Sequence, residues 1–215
     1  KPKIVVITGS VGKTSTKDAI ATALSTSFKI QKSEKSYNSD IGLPLTILNL
    51  ENAWDSPILW LINILKGFLR ALNFGKPYPE WLVLEVGADK PGDLQKIFSW
   101  LKADIVVVTR LPDIPVHVEF YESPEALISE EIIPADHIKE GGLLVLNQDD
   151  NRVLALMKNT KSEVITFGLG PRADVLGSNI SISYGSEQKH LSGITFRIDH
   201  KGNSVPVEIE GVLGV

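Results

Sequence analysis

The residues with the clearest chemical potential lie close to the start of the sequence, in a glycine-rich turn. An apolar, largely β-branched run at residues 4–8 is followed by Gly-Ser-Val-Gly-Lys-Thr at positions 9–14. This is a shortened form of the phosphate-binding pattern G-x-x-x-x-G-K-[ST], because Ile7 stands where that pattern has its first glycine. Small residues let backbone N–H groups approach phosphate oxygens, and a helix that starts after the turn points its positive end at them. The turn therefore predicts a site for the phosphate chain of a nucleotide.

A magnesium ion is expected beside this turn. Lys13 is the predicted catalytic cation for the β- and γ-phosphates, and Thr14 is a predicted Mg²⁺ ligand. Such a metal needs a protein carboxylate, and Glu85 ends an apolar run at residues 81–86. The carboxyl ends of parallel strands share one rim, so Glu85 should lie near the turn. A salt-bridged structural glutamate is the alternative at this position. The full predicted phosphate-binding set is Gly9, Ser10, Val11, Gly12, Lys13, Thr14 and Ser15.

The remaining sequence predicts an α/β fold with a mostly parallel sheet and helices on both faces. Short apolar runs alternate with helical patterns, which is typical of parallel sheets. The predicted strands span residues 4–8, 28–31, 81–86, 104–109, 142–146 and 163–167. After Asp174 the pattern changes to alternating apolar and polar residues, which predicts a small antiparallel β-meander within residues 174–211.

One segment, residues 56–74, is predicted to be a helical insertion with a wide apolar face. It is too short and too polar to span a membrane, which takes about 20 apolar residues. We expect its apolar face to pack onto the domain and consider membrane contact the less favoured outcome. A partner domain or a membrane surface is the alternative, because amphipathic helices serve all three purposes.

Composition excludes some functions. The net charge is −4, which gives no overall case for a nucleic-acid partner. No cysteine is present, so disulfides and Cys-ligated metal sites are excluded. This composition and the absence of a signal-peptide pattern favour the cytoplasm. We expect residues 1–215 to be one domain of a longer protein, with an α/β core at 1–170.

Five motifs in order resemble the central ATPase domain of the Mur ligases. They are Gly9–Thr14, the stretch Ser-Tyr-Asn-Ser-Asp-Ile-Gly-Leu-Pro at 36–44, Leu-Glu-Val-Gly at 84–87 with Pro-Gly-Asp at 91–93, His-Val-Glu at 117–119, and Leu-Asn-Gln-Asp-Asp at 146–150. The resemblance implies ATP and Mg²⁺ as cofactors and amide bond formation through an acyl-phosphate in peptidoglycan synthesis. Among family members, the sequence is most similar to the ligases that join D-Ala-D-Ala to a UDP-MurNAc-tripeptide. The resemblance implies these two substrates as partners of the full-length enzyme.

The resemblance also assigns residues outside the turn. It implies that His117 holds a second metal as a catalytic residue, that Asn38 lies on the substrate side, and that Asn147 lies on the nucleotide side. Fourteen residues after His117, where the family commonly has a carbamylated lysine, this chain has Glu131. A glutamate supplies a carboxylate metal ligand directly, although Pro134 interrupts its helix. The sequence leaves open whether a second metal binds.

Other hypotheses about the function of this sequence stay open. The family's amino-terminal UDP-binding domain and its carboxyl-terminal domain have no counterpart in residues 1–215, so this segment alone is expected not to complete ligation. Another amide ligase, of the folylpolyglutamate or cyanophycin type, is the alternative enzyme. A degenerate nucleotide-binding module that docks through the helical insertion is the alternative from a different class.

Overall fold

The computed structural model describes residues 1–33, 41–72, 77–111, 120–184 and 191–211. Two predicted site residues, Asn38 and His117, lie outside these ranges. The strands are β1 Lys3–Thr8, β2 Ile30–Lys32, β3 Trp81–Glu85, β4 Ala103–Val108, β5 Ile138–Asn147, β6 Glu163–Gly168, β7 Val175–Tyr184, β8 Leu191–His200 and β9 Asn203–Glu210. The helices are α1 Lys13–Ser25, α2 Gly42–Leu48, α3 Pro57–Ala71, α4 Asp93–Phe98, α5 Pro124–Glu131, α6 Ile133–Asp136 and α7 Asn151–Ala155.

All nine strands form one sheet in the order β2-β3-β1-β4-β5-β6-β7-β8-β9. The pairs from β2 to β7 are parallel, and β8 and β9 continue the sheet in antiparallel pairing. β1 lies between β3 and β4, and its Ile7 is level with Glu85 of β3. The glycine-rich turn therefore leaves the sheet beside the carboxyl ends of both neighbouring strands.

The two faces of the sheet are covered differently. On one face, α1 packs on β1, β2 and β3, and Ala21 joins a cluster with Val5, Ile7 and Val83. On the other face, α4, α5 and α6 pack together over a larger core that includes Leu84, which is fully buried. Strands such as β1 and β3 are apolar at nearly every position because both of their faces are buried. The predicted α/β class, with helices on both faces and a carboxyl-terminal antiparallel extension, is confirmed.

Strand β7 joins the parallel and antiparallel parts of the sheet. It pairs parallel with β6 at only two positions, Phe167 with Val175 and Gly168 with Leu176. Asp174 reinforces this short contact, because its Oδ2 accepts hydrogen bonds from the Thr166 backbone N–H and hydroxyl, both at 2.8 Å. The backbone N–H of Asp174 in turn donates to Thr166 Oγ1 at 3.0 Å.

These contacts make stability at the β6–β7 junction sensitive to acid. The hydrogen bonds from Thr166 hold the pKa of Asp174 below its usual range. At pH values above about 3.9, the pKa of Asp174 in the unfolded chain, the ionised carboxylate therefore stabilises the fold. This stabilisation is lost as the pH falls through the lower pKa of Asp174 in the folded protein. We expect Asp174→Asn to lower the urea midpoint at pH 6 and to lower it much less at pH 3. An equal loss at both pH values would contradict this assignment.

Helix α3 lies on the domain in an orientation opposite to the one expected. Its partly or fully buried positions are Trp60, Asn63, Gly67 and Arg70, which form its most polar face. The Asn63 side-chain amide donates to the Glu51 carbonyl oxygen at 2.8 Å, and the Trp60 indole donates to the Trp54 carbonyl oxygen at 2.9 Å. The predicted packing of the apolar face onto the domain is therefore wrong. Within the described ranges, no helix is long and apolar enough to cross a membrane.

The close approach at Gly67 explains this orientation. A Cβ added at Gly67 would lie 3.3 Å from Leu48 Cδ1 and 3.8 Å from Leu50 Cδ1. Because Gly67 has no side chain, the helix backbone sits directly on these two leucines. Trp60 and Asn63, before Gly67, then face backbone carbonyls of the domain, Arg70 lies over the Tyr78 ring, and the aliphatic side chains face outward.

Candidate functional site

The phosphate-binding turn is built as the sequence predicts. Gly12 is the N-cap of α1 with φ 84°, and the helix begins at Lys13. No side chain caps this fully described helix, and its first turn holds no acidic residue. The first backbone N–H groups of α1 therefore point away from the helix without a carboxylate competing for them. A helix start of this kind binds phosphate through those groups and through the positive end of the helix dipole.

The turn is held against the end of β4 by backbone contacts. Gly9 has φ 117°, a conformation that favours glycine. The Ser10 N–H donates to the Arg110 carbonyl oxygen at 2.8 Å, and the Thr109 hydroxyl donates to the Thr8 carbonyl oxygen at 3.1 Å. These bonds anchor the entrance of the turn to the end of β4.

Two glycine substitutions test this packing. A Cβ at Gly9 would collide with the Thr109 hydroxyl oxygen and lie 3.1 Å from the Arg110 nitrogen, whereas a Cβ at Gly12 has no neighbour within 4 Å. We expect Gly12→Ala to cost about 1–2 kcal/mol of unfolding free energy from backbone strain alone. Gly9→Ala should cost about 3 kcal/mol or more, because overpacking adds to the strain. Urea denaturation measures both values, and equal costs would show that the Thr109 contact is unimportant.

Lys13 lies over the turn that precedes it. Its Nζ donates to the Gly9 carbonyl oxygen at 2.5 Å. The ammonium group is therefore held inside the curve of the loop, close to the first N–H groups of α1. This is the position from which a lysine reaches the outer phosphates of a nucleotide. Val11, Thr14 and Ser15 are exposed around it, so the loop opens to solvent.

Thr14 and Glu85 meet at the carboxyl end of β3. The Thr14 hydroxyl donates to Glu85 Oε1 at 2.9 Å. The other carboxylate oxygen, Oε2, lies 3.4 Å from the Nζ of Lys17 and has no hydrogen-bond partner in the described part of the chain. Lys17 is only 3% exposed and Glu85 only 6% exposed, so this is a buried ion pair.

Lys17 is a site residue that sequence reasoning missed. It lies four residues after Lys13, which places both lysines on one side of α1. Lys17 also lies 3.8 Å from Asp18, whose pKa is lowered, mainly by its hydrogen bond to Lys32. The spacing from Lys13 was the only sequence signal that pointed to Lys17. Glu85 is therefore salt-bridged, as the structural alternative expected, and it also lies next to Thr14, while its role as a Mg²⁺ ligand stays a prediction.

The Thr14–Glu85 pair fits a magnesium ion. Octahedral Mg²⁺ holds its ligands at about 2.0–2.1 Å, so two adjacent oxygen ligands lie about 3 Å apart. The two oxygens here are 2.9 Å apart. Both are hard oxygen donors at the mouth of the phosphate-binding turn, and Lys17, 3.4 Å from Oε2, holds the carboxylate in place beside Thr14. The residues present therefore suit the metal.

Glu131 is brought to the same loop from a distant part of the sequence. Its Oε2 accepts a hydrogen bond from the Ser10 hydroxyl at 2.6 Å, and its backbone carbonyl accepts one from the Thr8 hydroxyl at 2.6 Å. Glu131 is the last residue of α5 and is buried, and a new helix begins at Ile133. The structure thus joins Glu131 to the phosphate-binding turn. Its predicted role as a metal ligand stays a prediction.

An acidic rim surrounds Tyr121, close to Glu131. Burial, and then the carboxylates of Glu130, Asp93, Glu131 and Asp89, raise the pKa of the Tyr121 hydroxyl. The hydroxyl is shielded from solvent and has no hydrogen-bond partner among the described residues. Glu130 itself accepts from the Leu94 N–H at 2.9 Å and so caps α4. This rim would favour a cationic group beside the phosphate-binding turn.

Asn147 ends β5 on the same rim of the sheet, two strands from β1. Its Oδ1 accepts from the Asp149 N–H at 2.9 Å. Asp149 in turn accepts from the N–H groups of Leu169 and Gly170, at 2.7 and 3.0 Å. Asp150 caps α7, accepting from the Arg152 N–H at 2.9 Å. Both aspartates therefore shape the loops around Asn147, and Asp150 is the N-cap of α7.

A cleft of about 360 Å³ opens beside Asn147. Its lining is mostly apolar and includes Phe167, Leu169, Val175 and Phe196 from the strands that follow β5. A flat apolar slot with an amide at its edge is suited to an aromatic ring that carries hydrogen-bonding groups. The phosphate-binding turn and this cleft lie on one rim of the sheet.

The predicted second metal centre is only partly visible. His117 and Asn38 lie outside the described residues, so their proximity to the turn stays a prediction. Among the residues that are described, no three His, Asp or Glu side chains cluster as a metal site would require. The observed candidates are thus the Thr14–Glu85 pair and, next to Ser10, Glu131.

Comparisons with known proteins agree with this geometry. The family model of the Mur ligase middle domain matches residues 7–58 and 66–212. The UDP-N-acetylmuramoyl-tripeptide--D-alanyl-D-alanine ligase of Rickettsia prowazekii is 23% identical over 202 residues, which cover 89% of this chain and 39% of that protein. The chain thus spans well under half of that relative's length.

Solved structures show the same fold. MurF ligase from Thermotoga maritima in complex with ADP superposes with a TM-score of 0.71 at 22% identity, covering 99% of this chain and 42% of that one. A mutant of FPGS from L. casei superposes with a TM-score of 0.60 at 16% identity, covering 97% of this chain and 53% of that one. The family model, which accounts for nearly all of the sequence, identifies the chain as a member of the Mur ligase middle-domain family.

Proposed function

We propose that this chain is the ATP- and Mg²⁺-binding domain of an ADP-forming amide ligase that joins D-Ala-D-Ala to a UDP-MurNAc-tripeptide. The observation that carries the proposal is the pairing of Lys13 over the phosphate-binding turn with Thr14 and Glu85 at 2.9 Å. The ligase from Rickettsia prowazekii supplies the substrate assignment.

In this proposal an oxygen of the acceptor carboxylate attacks the γ-phosphorus of ATP, the bond from that phosphorus to the β–γ bridging oxygen breaks, and an acyl-phosphate forms with release of ADP. The amine of the dipeptide then attacks the acyl carbon and releases inorganic phosphate. Phosphoryl transfer of this kind depends mainly on positioning and on neutralising charge. Lys13 and the first N–H groups of α1 hold the phosphates. Thr14 and Glu85 would hold magnesium, which would supply further positive charge to the phosphate oxygens.

The apolar cleft beside Asn147 is the proposed site of the adenine ring. It follows the phosphate-binding turn along the same rim, and its aromatic lining suits a planar base. Asn147 offers amide hydrogen bonding at the edge of the cleft. On the other side of the turn, the acidic rim around Tyr121 would attract the incoming amine.

Flanking domains are part of the proposal. The chain covers only 39% of the Rickettsia ligase, so we propose that UDP-sugar binding and closure over ATP depend on further domains in cis. We propose the cytoplasm as the compartment, where ATP is available. His117, Asn38 and Glu131 are proposed to act on the acceptor side.

Calorimetry and product release test the function together. Titration of ATP with Mg²⁺ should show binding to this chain, whereas UDP-MurNAc-tripeptide should not bind it. The full-length protein should release ADP only when both UDP-MurNAc-tripeptide and D-Ala-D-Ala are present. ADP release with a folate and glutamate instead would establish the folylpolyglutamate-type alternative, which the likeness to FPGS supports. Absence of ATP-dependent ligation would favour a docking module.

A further inference from the structure

The outward face of α3 is an unusual apolar surface. Seven side chains of α3 and that of its C-cap residue, Leu72, lie within one arc: Ile58, Leu61, Ile62, Ile64, Leu65, Phe68, Leu69 and Leu72. The least exposed of them, Ile62, is 39% exposed, and Ile58 reaches 72%. At 100° per residue they cover about 160° of the helix circumference. We call these eight residues the outer face of α3.

The outer face is fixed in place by the polar side of the helix. Asn63 and Trp60 are hydrogen-bonded to backbone carbonyl oxygens of the domain, and the Arg70 guanidinium lies 5.0 Å from the centre of the Tyr78 ring. Gly67 brings the helix backbone onto Leu48 and Leu50. Turning the apolar side inward would break all of these contacts. The domain therefore presents the outer face to whatever lies outside it.

The charged side chains of α3 itself are both basic. The helix contains Lys66 and the inward-facing Arg70 and no aspartate or glutamate, whereas the exposed Asp55 lies just before it. Lys66 is exposed at the border of the apolar arc. Trp54, which is 72% exposed, lies just before the helix. Aliphatic and aromatic residues bordered by lysine and arginine are typical of helices that lie in the surface of an anionic bilayer.

The dimensions of the outer face fit the surface of a bilayer. Its arc of about 160° exceeds the minimum of about 100° for a helix that packs on protein, so width alone suits either a protein or a bilayer. With 15 residues the helix is about 22 Å long, shorter than the 30 Å hydrocarbon core of a bilayer. It can therefore lie in the membrane surface and cannot span it.

The family comparison adds an independent argument. The family model leaves residues 59–65 unmatched, and these residues form the first half of α3. An interface shared by the whole family would therefore not explain the apolar face, because the family model does not match this part of the helix. We propose that the outer face of α3 binds the surface of an anionic lipid bilayer and holds this enzyme at the membrane. This reverses the expectation drawn from the sequence.

Vesicle flotation with the full-length protein tests the proposal. Vesicles of phosphatidylcholine with about 30% phosphatidylglycerol should carry the protein upward, and pure phosphatidylcholine vesicles should bind it less. Leu61→Ser with Phe68→Ser should reduce the partition coefficient at least about tenfold, because two large side chains no longer leave water. Lys66→Gln should reduce binding to the anionic vesicles about fivefold and leave binding to neutral vesicles unchanged.

A matched control uses exposed apolar residues elsewhere. Ile182 and Val205, on β7 and β9, are 49% and 55% exposed. Ile182→Ser with Val205→Ser should float like the wild type. Since all four side chains are exposed, the variants should keep the wild-type circular dichroism spectrum. The proposal is overturned if the wild type binds neither vesicle, or if both double variants bind equally. A concentration-dependent dimer that Leu61→Ser with Phe68→Ser dissociates, without vesicle binding, would instead assign the outer face to a second copy of the chain.

Discussion

A Lys13→Ala variant should bind ATP with Mg²⁺ about a hundredfold more weakly than the wild type, with no loss of folding stability. The ammonium group of Lys13 lies 2.5 Å from the Gly9 carbonyl oxygen, inside the curve of the phosphate-binding turn. A nucleotide that enters the turn would exchange this neutral carbonyl for charged phosphate oxygens. Losing charge-assisted hydrogen bonds of this kind costs about 2.7 kcal/mol, which corresponds to a hundredfold change in affinity.

Folding should be unaffected because Lys13 is the first residue of α1 and is partly exposed. Alanine is the strongest helix former, so the helix start is kept. Calorimetric titration with ATP measures the affinity, and urea denaturation checks the fold. Lys158→Ala is a matched control, because it also removes one lysine charge and Lys158 is an exposed residue beyond α7. If the Lys13 and Lys158 variants bound ATP with equal affinity, the proposal that the turn binds the nucleotide would be contradicted.

The second large effect concerns Glu85, and it should appear in both stability and metal dependence. Glu85→Ala leaves Lys17 buried, at 3% exposure, without the carboxylate that lies 3.4 Å from its Nζ. Breaking one half of a buried ion pair costs about 3–5 kcal/mol. The urea midpoint should therefore fall steeply. Adding Lys17→Met should restore much of the loss, because the double variant buries no unpaired charge.

Metal dependence separates the two roles of Glu85. Glu85→Gln keeps an oxygen that can accept from Thr14 and removes the negative charge. We expect this variant to need at least about tenfold more Mg²⁺ for half-maximal ATP binding, since Mg²⁺ prefers anionic oxygen ligands. The Glu85→Ala, Lys17→Met double variant should fold and should also have lost the metal dependence. A double variant with the Mg²⁺ response of the wild type would leave Glu85 with a structural role only.

Local sequence patterns were sufficient for the central part of the site. A buried strand, a glycine-rich turn and a helix that begins at Lys13 are determined by neighbours in the chain, and each is present as predicted. The placement of Glu85 followed from the rule that parallel strands end on one rim. The turn could be predicted because it depends on residue type and short spacing, and Glu85 because the topology of a parallel sheet brings the strand ends together.

Contacts between distant residues could not be predicted in this way. Glu131 reaches Ser10 across 121 positions, and no periodicity in either segment indicates that pair. The prediction of the α3 orientation failed for a different reason. Amphipathicity shows that a helix has two faces, whereas the fit of Gly67 against Leu48 decides which face is inside. Such close packing depends on three-dimensional shape.

The two ends of the nine-stranded sheet bear on how the protein avoids aggregation. An open sheet leaves unpaired backbone groups along its outer strands, and these groups can template pairing with another molecule. At one end, β2 is only three residues long. At the other end, β9 carries Pro206, Glu208 and Glu210 on an exposed strand. Proline removes a donor, and the carboxylates repel a like-charged copy. The sheet can therefore be wide and open without seeding fibrillar stacks.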